Sequence, residues 1–167
     1  MELRSKCFLI GCRDTPEALY PAILEAVKEH IAERGVREFL VGHYGAFDRL
    51  AAAAVREAKR TCPEARLTLL LPYHPGARPV SAEGFDESWY PFGDAHVPAR
   101  AAIVRANRLA VRASDFLIAY APYPGGGAHE IVGYARHSGL CVTELFVPAE
   151  FRPDLCGGTG QTPPDGV

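Results

Sequence analysis

Long apolar runs are missing from this sequence. The longest, such as Leu-Thr-Leu-Leu-Leu at residues 67–71, stop far short of the roughly 20 residues that cross a bilayer. No membrane span is therefore expected. An excess of charge is missing too. Eighteen Lys and Arg against twenty Asp and Glu leave a net charge of −2, so no global field draws the chain towards nucleic acid or an anionic membrane surface. The first residues enter an apolar strand pattern directly, without a signal peptide's long hydrophobic region. The five cysteines (Cys7, Cys12, Cys62, Cys141 and Cys156) are an odd number at no zinc or redox spacing. Cys7 and Cys141 sit inside strand patterns and read as small core residues. Together these features predict a cytoplasmic protein.

Several catalytic signatures are absent as well. There is no Gly-x-Ser-x-Gly elbow, no P-loop and no early Gly-x-Gly-x-x-Gly, so triad hydrolases, NTPases and standard dinucleotide enzymes lose their main support. His43, His74 and His129 stand at no paired spacing, which argues against a metal site. No resident cofactor is required.

What the chain does have is length for one α/β domain and an alternation of strand and helix patterns. Apolar runs at residues 6–11, 37–42, 66–72, 115–121 and 140–146 read as five strands. The first two close on Gly11 and Gly42. Between them, Leu19, Ile23, Val27 and Ile31 recur every four residues as a helical stripe, with Asp14 or Thr15 as candidate cap, Pro21 near the start and Gly35 at the end. The alanine-rich stretch ending near Lys59, a run from Pro98 to about Ala113, and residues 128–137 supply the other helices. Such an order predicts a doubly wound, mainly parallel, five-stranded Rossmann-like sheet with helices on both faces. Residues 1–147 form that domain; residues 148–167, rich in Gly, Pro, Thr and Asp, read as a flexible tail. Residues 73–98, with Phe85, Trp89, Tyr90 and Phe92, are too long for an ordinary connection and too aromatic for disorder. They read as an inserted, packed flap.

Right-handed crossovers place every strand's carboxyl end on one edge, where ligands of such folds bind. That edge gathers residues 11–13, 42–48, 72–78 and 124–130. The last of these, Pro-Gly-Gly-Gly-Ala-His-Glu, follows a strand and opens a helix. Gly125, Gly126 and Gly127 let backbone approach a ligand, and the helix start aims its N–H groups at an anion. Gly42 and Gly45, with Phe47 and Asp48, resemble a second cradle, and Phe47 also shares a helix face with Leu50, Ala54 and Ala58. Arg13, Arg78, Arg105 and His129 are candidate partners for a phosphate, and Arg13 suits a surface ion pair with Asp14 or Glu17 equally well. Asp48 suits a ribose hydroxyl or acid–base work, or the dipole of its own helix. Glu130 suits a general acid or base, or the same first-turn role. Arg105, Arg108 and Arg112 share one helix face, for which solvation is the default reading.

These pieces resemble the SLOG superfamily, the Rossmann-like fold of the DprA and Lonely Guy (LOG) proteins. The resemblance rests on Gly11-Cys-Arg13, on the Gly-Ala-Phe-Asp-Arg-Leu that starts at Gly45, on residues 105–119, and on the triple glycine followed by Tyr-Ala-Arg-His-Ser-Gly at residues 134–139. Asn107 falls in an arginine–asparagine helix motif of a bacterial branch. The resemblance implies a nucleotide or nucleotide-derived ligand at the glycine loops, with Gly11, Arg13, Gly42, Gly45, Phe47, Asp48, Arg78, Arg105, Asn107, Gly125, Gly126, Gly127 and His129 around it. It does not settle activity. LOG phosphoribohydrolases carry Pro-Gly-Gly-x-Gly-Thr-x-x-Glu. Here Ala128 and His129 replace the Gly and Thr, Glu130 comes two positions early, and Val132 fills the glutamate slot. The phosphate half of the motif is kept and the catalytic half is lost. The expected function is thus a sensor or carrier of a nucleotide or sugar phosphate, with an N-glycosidic hydrolase using Glu130 or Asp48 as one alternative and a protein-interaction scaffold as another. Alanine-rich helix surfaces leave room for a homo-oligomer.

Overall fold

The computed structural model describes residues 5–149. Its elements are β1 (Ser5–Ile10), α1 (Tyr20–Arg34), β2 (Val36–Val41), α2 (Ala46–Lys59), β3 (Arg66–Leu70), β4 (Glu87–Trp89), α3 (Ala99–Arg112), β5 (Phe116–Ala119), α4 (Gly127–His137) and β6 (Cys141–Glu144). One sheet runs through the centre in the order β4-β3-β2-β1-β5-β6, and every pairing in it is parallel.

Strand periodicity sorts the core into two layers. Cys7 and Leu9 of β1 face one way, among Ile23 and Val27 of α1 and Leu50, Ala51, Ala54 and Ala58 of α2. Phe8 and Ile10 face the other way, among Ala106, Ala110 and Val111 of α3 and Ile131, Val132 and Ala135 of α4. Both faces of β1 are therefore covered, as a near-continuous apolar run predicts for a central parallel strand. The alanines of α2 remove side-chain bulk and let its backbone lie close to the sheet.

The start of α1 differs from expectation. A 3-10 turn at Glu17–Leu19 precedes the helix, and Pro21 falls within its first two positions, where a missing N–H costs nothing. Neither Asp14 nor Thr15 caps it. Thr15 is buried, and its hydroxyl donates 2.7 Å to the Cys12 carbonyl, while Asp14 accepts from Tyr123. Gly35 does close the helix, with φ 65°.

Among the described residues the sheet has six strands rather than five. The extra one, β4, lies inside the long segment read as a flap and adds to the edge of β3, with Leu70 opposite Trp89. Three residues flanked by glycine and proline offer no alternation to detect, so the pairing follows from tertiary contacts. The Asp86 carboxylate accepts the Leu67 N–H at 2.8 Å and meets the Lys59 ammonium, and the Leu71 N–H donates 2.8 Å to the Trp89 carbonyl. Phe85 packs on the α1/α2 core layer, and Trp89 and Phe92 on the other.

Other boundaries move slightly: α4 begins at Gly127, and the last strand shortens to four residues. Cys141 is not a core residue. It opens the edge strand, exposed, and its sulfur accepts from the Arg34 guanidinium at 2.8 Å. The tail expected from residue 148 lies outside the described residues from position 150 onward. No helix among the described residues is long and apolar enough to cross a membrane.

Trp89 is the chain's one tryptophan, so its fluorescence reports the docking of β4. Replacing Asp86 by Ala removes the anchor at the Leu67 amide and should cost about 1–2 kcal/mol. Tryptophan emission should shift to longer wavelength before the global unfolding transition. Unchanged emission and stability would mean that the aromatic packing alone holds the edge strand.

Candidate functional site

The chain leaves β1 for β2 on one side and returns to β5 on the other, so the strand order reverses between β1 and β5. In open parallel sheets the crevice at that point is the usual ligand site. A cavity of about 380 Å³ opens there. Its floor is the carboxyl end of β1 through Gly11, joined by Leu70 at the end of β3 and Pro72 just after it. Cys12, Arg13 and Asp14 form one wall, Gly42, Tyr44, Gly45 and Asp48 a second, and Ile103 and Asn107 of α3 a third. The glycine turn and the first residues of α4 complete it.

The two glycine cradles differ in what they hold. At α2 the helix start is packed against the loop after β1. A Cβ on Gly11 would sit 2.2 Å from the Phe47 ring, and one on Gly45 would sit 2.5 Å from Arg13 Cα. The Ala46 N–H donates to the Arg13 carbonyl at 3.0 Å, and the Phe47 N–H to that of Cys12 at 3.4 Å. These N–H groups are therefore consumed by the fold.

At α4 they are not. Gly125 takes a left-handed turn at φ 77°, Gly126 caps the helix in an extended conformation, and the first intrahelical bond runs from the Glu130 N–H to the Gly126 carbonyl. The N–H groups of Gly127, Ala128 and His129 take no backbone partner among the described residues. All three residues line the cavity, at the positive end of the helix dipole. Across the mouth, the Tyr123 hydroxyl donates 2.8 Å to the Asp14 carboxylate, tying the β5–α4 turn to the loop after β1.

Asp48 is a half-buried residue of this cavity whose carboxyl is largely shielded from solvent. Its Oδ2 accepts the Tyr44 N–H at 2.9 Å, and a Cβ on Gly42 would come within 2.8 Å of the same oxygen. Burial pushes its pKa up to about 6, partly offset by the Tyr44 hydrogen bond. The Tyr44 ring is held by the His43 ring at 4.2 Å and by the edge of Tyr73 at 6.2 Å. Cys12 donates to the Tyr120 carbonyl at 3.5 Å, and burial, then Asp14, push its thiol up to about 11.

Of the residues expected at the site, Gly11, Arg13, Gly42, Gly45, Asp48, Asn107, Gly126, Gly127 and His129 come together around the cavity. Five do not line it. Phe47 is buried beneath Gly11 as a core residue. Arg78 lies over the Tyr73 ring at 3.8 Å. Arg105 is exposed on α3. Gly125 shapes the turn without facing the cavity. Glu130 is exposed one residue beyond the wall. Tyr44, Ile103 and Tyr123 were not singled out from sequence. Only the position of Tyr44 between two glycines of the second cradle could have marked it. Among the described residues no cluster of three His, Cys, Asp or Glu side chains could hold a metal ion.

Sheet order and the position of the cavity define a Rossmann-like fold. Solved structures agree on that fold. DNA processing protein A (DprA) from Streptococcus pneumoniae superposes with a TM-score of 0.65 at 15% identity, over 84% of this chain and 50% of that one. The molybdenum cofactor binding protein from Rippkaea orientalis gives 0.60 at 18% identity, over 86% of this chain and 77% of that one. The molybdenum cofactor carrier protein from Chlamydomonas reinhardtii gives 0.56 at 18%, over 89% and 80%. The chain thus spans about half the length of the S. pneumoniae protein. At these identities the likeness is one of fold. No protein-family model and no curated protein matches the sequence.

The raised Asp48 pKa has a measurable consequence. The folded state holds that proton more tightly than the unfolded chain, whose Asp titrates near 3.8. The associated stability is complete below about pH 4 and is lost as pH rises through about 6. Asp48→Asn keeps an acceptor for the Tyr44 amide without the buried charge. Its stability relative to wild type should rise between pH 4 and pH 7, by up to about 3 kcal/mol. Denaturant melts at both pH values measure this, and a pH-independent difference would contradict it.

Proposed function

We propose that this protein binds a small, phosphate-bearing ligand of the nucleotide type at the carboxyl edge of its sheet, and that it holds the ligand as a carrier or sensor. The observation that carries this reading is the trio of unpartnered N–H groups of Gly127, Ala128 and His129 on the cavity wall. Oriented backbone donors at a helix start favour a phosphate, and Arg13 on the neighbouring wall adds a cation. A cavity of about 380 Å³ suits a mononucleotide-sized molecule, at the lower end of ordinary ligand pockets. The cofactor-binding and carrier proteins among the structural neighbours bind a small molecule on the same fold, which supports a holding role.

Two alternatives have less behind them. Hydrolysis of an N-glycosidic bond would rest on Asp48 alone, since Glu130 stands outside the cavity. A DprA of another bacterium, Helicobacter pylori, binds single-stranded DNA. Here the arginine face of α3 is partly occupied, because Arg112 donates to the Tyr134 hydroxyl at 2.7 Å and Arg108 lies over the Tyr134 ring. That occupancy favours a small ligand over nucleic acid.

The test is a thermal melt with nucleoside mono- and diphosphates, in which a ligand at 100 times its Kd adds about 2.7 kcal/mol. Gly127→Pro then removes one cavity N–H at little structural cost. Position 127 is the first of α4, Gly126 before it is already extended at φ −73° and ψ 163°, and a Cβ there meets nothing. The variant should melt no lower than wild type and bind its nucleotide about tenfold more weakly. Unaltered affinity would remove the phosphate from the start of α4.

A further inference from the structure

Beside the helix start, the cavity has a second recognition surface built from one short stretch. Tyr44 and Asp48 both line it, and the hydrogen bond from the Tyr44 N–H to Asp48 Oδ2 locks the carboxyl to the loop that carries the ring. The ring itself packs against His43 and, in T-shaped fashion, Tyr73, and Arg78 stacks on Tyr73 in turn. A pre-positioned aromatic face of this kind is a stacking surface for a planar heterocycle.

The carboxyl sets which heterocycle. An ionised Asp is acceptor-only. Its Oδ2 has one bond, to Tyr44, and its Oδ1 has no partner among the described residues. Asp14, the other carboxylate of the cavity, is already engaged by the Tyr123 hydroxyl. A ligand that brings two adjacent N–H donors to Asp48 would satisfy both oxygens. A ligand that brings an acceptor would leave a desolvated carboxylate facing a lone pair. Among the common bases only guanine carries a ring N–H beside an amino group. Adenine and cytosine place a ring acceptor next to theirs, and hypoxanthine lacks the amino group.

We propose that Tyr44 and Asp48 form the base-reading part of this cavity, and that it selects a guanine-type edge stacked on Tyr44 with its adjacent N–H donors on the Asp48 carboxylate. This rests on the phosphate-ligand reading above and makes it specific. Guanine is identified by its donor edge, so any planar heterocycle with the same 2-amino-4-oxopyrimidine edge shares the chemistry.

Calorimetric titration of the full chain at pH 7.5 with guanosine, inosine, adenosine and cytidine monophosphates tests the proposal. Guanosine monophosphate should bind at least tenfold tighter than each of the other three. In Asp48→Asn the amide oxygen can keep the Tyr44 bond while the NH₂ group replaces Oδ1, turning a cavity acceptor into a donor. Guanosine monophosphate should then lose at least tenfold. Xanthosine monophosphate, which presents an oxygen where guanine has its amino group, should gain. Inorganic pyrophosphate should bind both proteins alike. Tyr44→Leu should weaken guanosine monophosphate about tenfold and leave pyrophosphate unchanged. Equal affinity for the four nucleotides would overturn the base-reading role and leave the phosphate site standing. Binding of none of them, nor of pyrophosphate, would overturn both.

Discussion

The contact on which the site depends is the one between the loop after β1 and the start of α2. Gly11 admits the Phe47 ring and Gly45 admits the Arg13 backbone, and a methyl group at either place would collide with something that cannot move aside. That closeness lets the Cys12 and Arg13 carbonyls take up the first N–H groups of α2. Two of the first N–H groups of that helix are thereby withdrawn from the cavity. The start of α4 keeps its N–H groups for the cavity. The asymmetry between two glycine-flanked helices that look alike in sequence gives the cavity a direction, with the anion expected at one end and the Tyr44–Asp48 pair at the other.

The same contact fixes Asp48. Gly42 has no side chain, so the carboxyl can fold back over the turn and accept the Tyr44 N–H, and burial then disfavours its charge. A desolvated carboxyl held by a backbone amide, beside a packed ring, is costly to the fold. Costly groups retained in a cavity point to a role that packing alone does not supply. Here the role assigned to it is recognition, because the carboxyl is tied down by the loop and stands where a ligand's polar edge would meet it.

Much of the fold was legible because its core strands are unbroken apolar runs. Residues 7–10 and 117–119 are buried on both faces of the sheet, and such runs separated by helical stripes predict a parallel sheet with little ambiguity. The exception was β4. Its residues, Glu-Ser-Trp, carry no strand pattern, and the Asp86 anchor to the Leu67 amide is a tertiary contact without a local signature. Around the cavity, Gly11, Gly42, Gly45, Gly126 and Gly127 come together with Arg13, Asp48, Asn107 and His129, a gathering that the sequence foreshadows because turns after strands constrain residue type. Phe47 belongs to the apolar face of α2 that its spacing with Leu50, Ala54 and Ala58 predicts, and not to the cavity; an aromatic in a loop-to-helix junction looks the same in sequence whether it faces a ligand or a glycine. Arg78 and Arg105 illustrate a related limit: charge in the right segment says nothing of which way the segment turns. Ile103 and Tyr123 reach the cavity only through the long crossover from β4 and the turn after β5, which no spacing encodes.

The account stands or falls on whether one small ligand touches both ends of the cavity at once. Amide-resolved NMR titration with guanosine monophosphate measures this directly. The account predicts that the amide signals of Gly127, Ala128 and His129 shift together with those of Tyr44 and Asp48, along a single binding curve. Signals at the open edge of β6 should stay where they are. Perturbations confined to the arginine face of α3 or to the flap, with the α4 amides unmoved, would contradict it.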